Sequence, residues 1–231
     1  MSQWDPSSAE PGLKGVSSIR EPTRAERAIG RRTAETRATV PHLELEAEVN
    51  AGAALAVSQA HSCSFTAVLV RACALALREH PRANAAYRDG RYELYSRVNI
   101  AVTTPSEDGY LTPTLLDADA KSARALEAEL TRLQARAGAG ELTPPEMAGA
   151  TFTVTDHGPD GVFRASPLIV APQAAALAAG QVREVPVVRG GSVVPGHVVS
   201  LTLACDSRIL FGATAARFLR GVTQQLEDGS P

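Results

Sequence analysis

Between residues 42 and 50 the chain reads HLELEAEVN, with Leu43, Leu45, Ala47 and Val49 alternating with Glu44, Glu46 and Glu48. A period of two sends the two sets to opposite faces, so this segment predicts a strand with one buried face and one acidic face. The period then lengthens. In FTAVLVRACALALREH, Phe65, Val68, Leu69, Cys73 and Ala76 fall on one stripe and Leu75 and Leu77 widen it. Ser64 stands where an N-cap is needed, and the segment up to Pro81 predicts a largely buried helix. YELYS and RVNIAVTTP, on either side of Ser96, predict strands, and LTPTLLDA follows a Glu-Asp-Gly turn at 107–109. Leu126, Leu130, Leu133 and Ala137 recur at helical spacing within 120–138, and GAGELTPPEMAGA after them reads as a loop.

The remaining third repeats the mixture. TFTVTD (151–156) predicts a strand that ends in HGPDG. PLIVAPQAAALAAG comes next, then a short strand around VREVPVV, a Gly190-Gly191 turn and a strand in HVVSLTLAC. A helix over 213–226 has Ala215, Phe218, Leu219, Val222 and Leu226 on its buried side. Interspersed strands and helices, with tight turns between several strand pairs, predict an α+β fold: a mixed sheet with helices on one side, rather than a doubly wound one. Residues 1–20, polar and rich in Pro, Gly and Ser, read as a disordered arm. Residues 21–231 then form one domain. It opens with EPTRAERAIGRRTAETRA, a short basic helix whose Arg-rich face stays solvated.

Composition narrows the functions. A 231-residue chain with 44% hydrophobic content has ample material for a core. A net charge of -2 and 4% aromatic residues give neither a basic field nor a stacking surface, so no nucleic acid and no anionic membrane is expected as a partner. No run approaches the ~20 apolar residues of a membrane span. The N-terminus has no apolar leader core, and a cytoplasmic protein is expected. Cys63, Cys73 and Cys205 are odd in number and match no zinc spacing, so free half-buried thiols and no metal are expected.

Chemistry-bearing motifs are sparse. Glycine-rich nucleotide fingerprints, the nucleophile elbow and the zinc-protease helix are absent. His42, His61, His80, His157 and His197 each stand alone. His157 sits between Thr155-Asp156 and Gly158-Pro159-Asp160-Gly161. Such a strand end can display a functional group, or it is a polar turn closed by an Asx-type bond from Asp156. In LACDSRILFGATAARFL (203–219), Asp206, Ser207 and Arg208 lie between a strand and a helix. Asp206 and Arg208 read either as part of a site or as an ion pair that holds the turn.

Taken in order, TVPHLELEAEVN, SFTAVLVRACALALREHPRANAAY, YSRVNIAVTTPSEDGYLTPTLLDADAKS, GELTPPEMAGATFTVTDHG, PLIVAPQAAALAAG and LACDSRILFGATAARFL resemble the catalytic domain of the 2-oxoacid dehydrogenase acyltransferases (E2 components) and their relative chloramphenicol acetyltransferase, over residues 22–228. The resemblance implies a homotrimer with the active site between subunits, coenzyme A as acyl carrier, and a His in D-H-R-x-x-D-G as base toward the acceptor. It also implies a Ser or Thr hydroxyl as oxyanion donor. Carried over, the donor is Thr155. Asp206, Arg208 and Gly212 keep the motif, but Ser207 stands at the base and Phe211 at the second Asp. A serine hydroxyl is far too weak a base at pH 7. No lipoyl group is expected on this chain, since the arm is too short for a lipoyl domain.

The expectation is therefore a stand-alone acyltransferase of specialised metabolism. It would move an acetyl group from acetyl-CoA to a hydroxyl of a small metabolite, as some relatives do on tetronate-type polyketides. Thr155 is the oxyanion donor, and His157 or the acidity of the acceptor replaces the base. Ser207 bonds the acceptor, and Phe211 with Gly212 lines its pocket. The alternatives are an inactive trimeric binding protein, or a channel turned to cyclisation or elimination.

Overall fold

The computed structural model describes residues 13, 15, 17–107 and 109–229. Most of the expected arm lies outside them, and residues 17–20 carry neither helix nor strand. Helix α1 (Arg24–Thr39) starts at a capping box: Thr23 accepts from the Glu26 amide and Glu26 accepts from the Thr23 amide. Strand β1 (His42–Asn50) follows, then α2 (Gly52–His61) and α3 (Phe65–Glu79), which Ser64 caps through a bond from the Ala67 amide. Two hairpins interrupt the core: β2 (Ala85–Arg88) with β3 (Arg91–Leu94), and β5 (Thr104–Ser106) with β6 (Gly109–Leu111). The remaining elements are β4 (Ile100–Val102), β7 (Thr114–Leu115), α4 (Ala123–Gly138), β8 (Phe152–Asp156), β9 (Ala175–Ala179), β10 (Arg183–Arg189), β11 (Ser192–Asp206) and α5 (Gly212–Asp228).

The main sheet has seven strands. The order is β1-β11-β9-β8-β4-β7, and β10 pairs with the first half of β11. β8 runs parallel to both β4 and β9, whereas the other neighbours are antiparallel. This is the mixed sheet expected from the sequence. Alternation divides it into two faces. Leu201, Leu203 and Cys205 of β11, Leu177 of β9, and Phe152 and Val154 of β8 join the core beneath α3, α4 and α5. Phe218 of α5 meets Phe152 edge-on at 5.6 Å between ring centroids.

The opposite face carries small and polar side chains, among them Thr202, Ala204, Ala176, Ala178 and Thr153, and these are also buried. Their cover is the connection from β8 to β9. A parallel pair needs a long crossover, and here no helix supplies it: residues 157–174 cross the sheet as a coil with one short 3₁₀ turn. Ile169 packs on Val40 and Ala204, Ser166 Oγ donates to Glu44 at 2.8 Å, and Arg164 pairs with Glu46. The acidic face of β1 is thus partly roofed by its own chain.

The crossover passes over the end of β9 at Gly180. A Cβ there would lie 1.9 Å from the Phe163 carbonyl oxygen, with Val162 O at 3.0 Å. The neighbouring amide of Gln181 donates to Val162 O at 2.8 Å, so the two segments cannot part without losing that bond. Gly180→Ala is expected to destabilise the fold by about 2–4 kcal/mol, at or above the usual range for overpacking because the obstacle is backbone. Urea unfolding checks this; a midpoint equal to wild type would show that the crossover yields freely.

Candidate functional site

Two clusters hold the residues singled out from the sequence. The first is the end of β8. Asp156 points toward the helices, where Oδ2 accepts from Thr66 Oγ1 at 2.7 Å and Oδ1 accepts from the Gly158 amide at 2.8 Å. The second bond is the Asx-type turn considered from the sequence. Thr153 and Thr155 face the other way. Thr153 Oγ1 donates to Gln173 Oε1 at 2.7 Å. Thr155 Oγ1 lies 2.7 Å from Thr103 Oγ1, on the residue after β4. The parallel register pairs Ala101 with Thr153 and Val102 with Val154, so the next residues come side by side.

His157 does not continue this alternation. The strand stops at Asp156, and His157 turns to φ -98° and ψ 4° to open the 3₁₀ turn Gly158–Asp160. Its amide donates to Ala179 O at 2.9 Å, and Nδ1 is 4.0 Å from Asp160 Oδ2. It lies two residues after Thr155, where a continuing strand would put both on one face, but the turn takes it off the strand.

The second cluster is the end of β11. Asp206, 3% exposed, is clamped by Arg208: Nε to Oδ1 at 2.9 Å and Nη2 to Oδ2 at 2.6 Å, with the Arg208 amide also on Oδ1 at 3.0 Å. The guanidinium stacks over Tyr87 at 4.5 Å, and Tyr92 Oη donates to Arg208 O at 3.0 Å. The turn-holding ion pair is present in full. Ser207 is occupied as well: both its amide (3.0 Å) and its hydroxyl (2.9 Å) donate to Pro41 O. Phe211 is 47% exposed at the N-cap of α5, with the Arg82 guanidinium 5.9 Å from its ring. Gly212 opens the helix, and a Cβ on it would meet nothing within 4 Å in this chain.

The cysteines offer no ready thiolate near this turn. The single Cys205 Sγ proton has the Leu43 and Leu210 carbonyls as alternative acceptors, and burial with the Asp206 charge beside it pushes the thiol up to about 12. Burial likewise drives Cys73, and to a lesser degree Cys63, upward. All three are free and buried. His42, paired with Asp206 across β1 and β11, gives its Nδ1 proton to Val40 O at 2.8 Å. Its Nε2 is then sealed without a partner.

The two clusters are far apart. Thr155 is level with Ala178 of β9, which pairs with Thr202 of β11, and Ser207 lies five residues further on. Strand geometry makes the separation within one chain roughly 19 Å. Thr103 and His42 were not picked from the sequence as site residues. A register between β4 and β8 was needed to find the first, and the β1–β11 pairing to find the second.

A model of the "2-oxoacid dehydrogenases acyltransferase (catalytic domain)" matches residues 17–230. The chain belongs to this acyltransferase family. The acetyltransferase component of the Zymomonas mobilis pyruvate dehydrogenase complex is 32% identical over 210 residues, 87% of this chain and 48% of that one. The mitochondrial succinyltransferase component of the Saccharomyces cerevisiae 2-oxoglutarate dehydrogenase complex is 35% identical over 166 residues, covering 71% and 35%. The chain spans about half the length of the curated acetyltransferase relatives it matches.

Among solved structures, the Azotobacter vinelandii dihydrolipoamide acetyltransferase superposes with TM-score 0.87 at 26% identity, covering 95% of this chain and 97% of that one. In that enzyme a serine, a histidine and an asparagine have been investigated for their role in the catalytic mechanism. The cubic core of a pyruvate dehydrogenase complex gives TM-score 0.88 at 26% identity and 93% coverage of both chains. Chloramphenicol acetyltransferase, at 18% identity and TM-score 0.52, shares the fold. Among the described residues, no group of three or more His, Cys, Asp or Glu side chains is placed for a metal ion, and no single helix is long and apolar enough to cross a membrane.

Proposed function

We propose that this acyltransferase-family chain transfers an acetyl or similar acyl group from coenzyme A to a hydroxyl of a small metabolite, with Thr155 as the oxyanion donor. The observation that carries this is the Thr155 hydroxyl, half-buried at the end of β8 and, among the described residues, bonded only to another hydroxyl, so that it remains able to donate. In the reaction the acceptor oxygen attacks the thioester carbonyl and the C=O pair moves onto oxygen. Thr155 stabilises that charge, and collapse expels the coenzyme A thiolate. The acceptor's proton passes to a base and finally to the thiolate.

At position 207 no base is available, because serine is a poor one and its hydroxyl is already given to Pro41 O. An acceptor with an acidic hydroxyl, such as an enolic or tetronate-type one, relieves the chain of that task; His157, two residues after Thr155 but turned off its strand, is the alternative base. The roughly 19 Å between Thr155 and Ser207 supports a site shared between copies, Thr155 of one meeting the 207 segment of the next, in a homotrimer like the family's.

The engaged Ser207 hydroxyl and the apolar Phe211 also favour a second reading, a trimeric binding protein that kept the fold without turnover. Calorimetric titration with acetyl-CoA and coenzyme A, followed by thiol release against hydroxyl acceptors, separates the two. Binding with acceptor-dependent release is expected. Binding without release supports the second reading, and no binding of either ligand removes the acyltransferase proposal.

A further inference from the structure

We infer that Thr103 is a positioning residue that orients the Thr155 hydroxyl, an inference that rests on the acyl-transfer proposal above. A threonine hydroxyl carries one proton and two lone pairs. When the 2.7 Å bond runs from Thr155 to Thr103, Thr155 has no proton left for an acyl oxygen. When it runs from Thr103 to Thr155, the Thr155 oxygen accepts one bond and its proton is free. An oxyanion can only accept, so charge developing on the acyl oxygen selects the second direction. The chain from Thr103 through Thr155 to the oxyanion then polarises one way, each bond reinforcing the next.

Three observations single this pair out. Its neighbours have fixed directions: Thr153 Oγ1 donates to Gln173 Oε1, and Thr104 Oγ1 donates to the Val102 carbonyl at 3.2 Å. A carbonyl oxygen cannot return the bond, whereas a hydroxyl can, so the Thr103–Thr155 pair can rest in one sense and react in the other. The backbone under it is held. The Thr103 amide donates to Val154 O at 2.9 Å, extending the β4–β8 parallel ladder by one bond. Both side chains are β-branched and half-buried, which limits χ1 and keeps the oxygens in line. The arrangement arises because β4 is parallel to β8; in an antiparallel pair with Val102 still opposite Val154, residue 103 would lie beside Thr153 instead of Thr155.

The test is steady-state kinetics on the full chain, with acetyl-CoA as donor and dihydrolipoamide as acceptor probe, or the hydroxyl acceptor that releases thiol where dihydrolipoamide is not turned over. Thr103→Val is expected to lower kcat about 3- to 10-fold, the ordinary worth of one neutral hydrogen bond, with KM for acetyl-CoA unchanged. Thr103→Ser, which keeps the hydroxyl, is expected to restore most of that loss. The Thr103→Val/Thr155→Val double variant is expected to be no slower than Thr155→Val alone, because Thr103 acts only through Thr155. A structural role for Thr103 would instead lower the double variant further and would not separate kcat from KM. The inference fails, with acyl transfer intact, if Thr155→Val is crippled while Thr103→Val matches wild type, or if the two losses add. It fails together with the acyl-transfer proposal if wild type shows no acetyl-CoA-dependent turnover, or if Thr155→Val is fully active.

Discussion

Thr155→Val is expected to lower kcat for acyl transfer by about 10²- to 10³-fold, the usual cost of removing one oxyanion donor. Valine keeps the size and β-branching of threonine on β8 and replaces the hydroxyl by a methyl group. The fold should lose about 1 kcal/mol, for the single bond to Thr103. Binding of coenzyme A should persist, since the hydroxyl acts on charge that appears only during reaction. Single-turnover thiol release measures the rate, and thermal unfolding with titration of coenzyme A measures the rest. A kcat within a factor of about two of wild type (under 0.5 kcal/mol of transition-state stabilisation) would remove Thr155 from the chemistry.

The second large effect is a gain. Ser207→His combined with Phe211→Asp should raise turnover with dihydrolipoamide as acceptor by roughly 10²- to 10⁴-fold, the range supplied by a positioned general base. The frame for an imidazole is already present. The Ser207 amide stays bonded to Pro41 O, and the Arg208–Asp206 clamp fixes the turn from the other side. The histidine variant gives up one hydroxyl bond to Pro41 O, at about 1 kcal/mol. The new carboxylate at 211 would stand where the Phe211 ring now lies, 5.9 Å from the Arg82 guanidinium, so a cation is at hand to keep it ionised. Unchanged turnover with acetyl-CoA binding intact would mean that residue 207 does not face the acceptor.

Much of the architecture is legible in the chain because it rests on periodicity. The Leu-Glu alternation of β1 states which face is apolar, although of that row only Val49 is fully buried, and the apolar stripe of α3 behind Ser64 and the five buried positions of α5 state their burial directly. Two elements do not. α2 is built from GAALAVSQAH with no side-chain cap at Ala51, so neither a start signal nor a clear stripe marks it. β9 is AALAA, a run with good intrinsic helix propensity and no alternation. It is a strand because β8 and β11 hold it on both sides, and small side chains are what fit between the helices and the crossover. The start of α4 moved from 120 to Ala123, where Ser122 caps it.

The site divided in the same way. The ion pair of Asp206 with Arg208 is a local event, two residues apart, and could be read directly. The tie of Ser207 to Pro41 and the pairing of Thr155 with Thr103 depend on residues 166 and 52 positions away along the chain, which only the sheet brings together. The strand-like continuation that would put His157 on the face of Thr155 is broken by the Asx turn at Asp156.

The pairing of β1 with β11 also governs how the molecule comes into being. β1 leaves the ribosome some 150 residues before the strand that covers its edge. At ordinary elongation rates of about 5–20 residues per second, that is a wait of roughly 8–30 s. Through that interval a nine-residue strand with an apolar row has no native partner. Glu44, Glu46 and Glu48 then serve the nascent chain before they serve the folded one. Three like charges on alternate positions repel a second copy of the same segment and discourage premature edge-to-edge pairing.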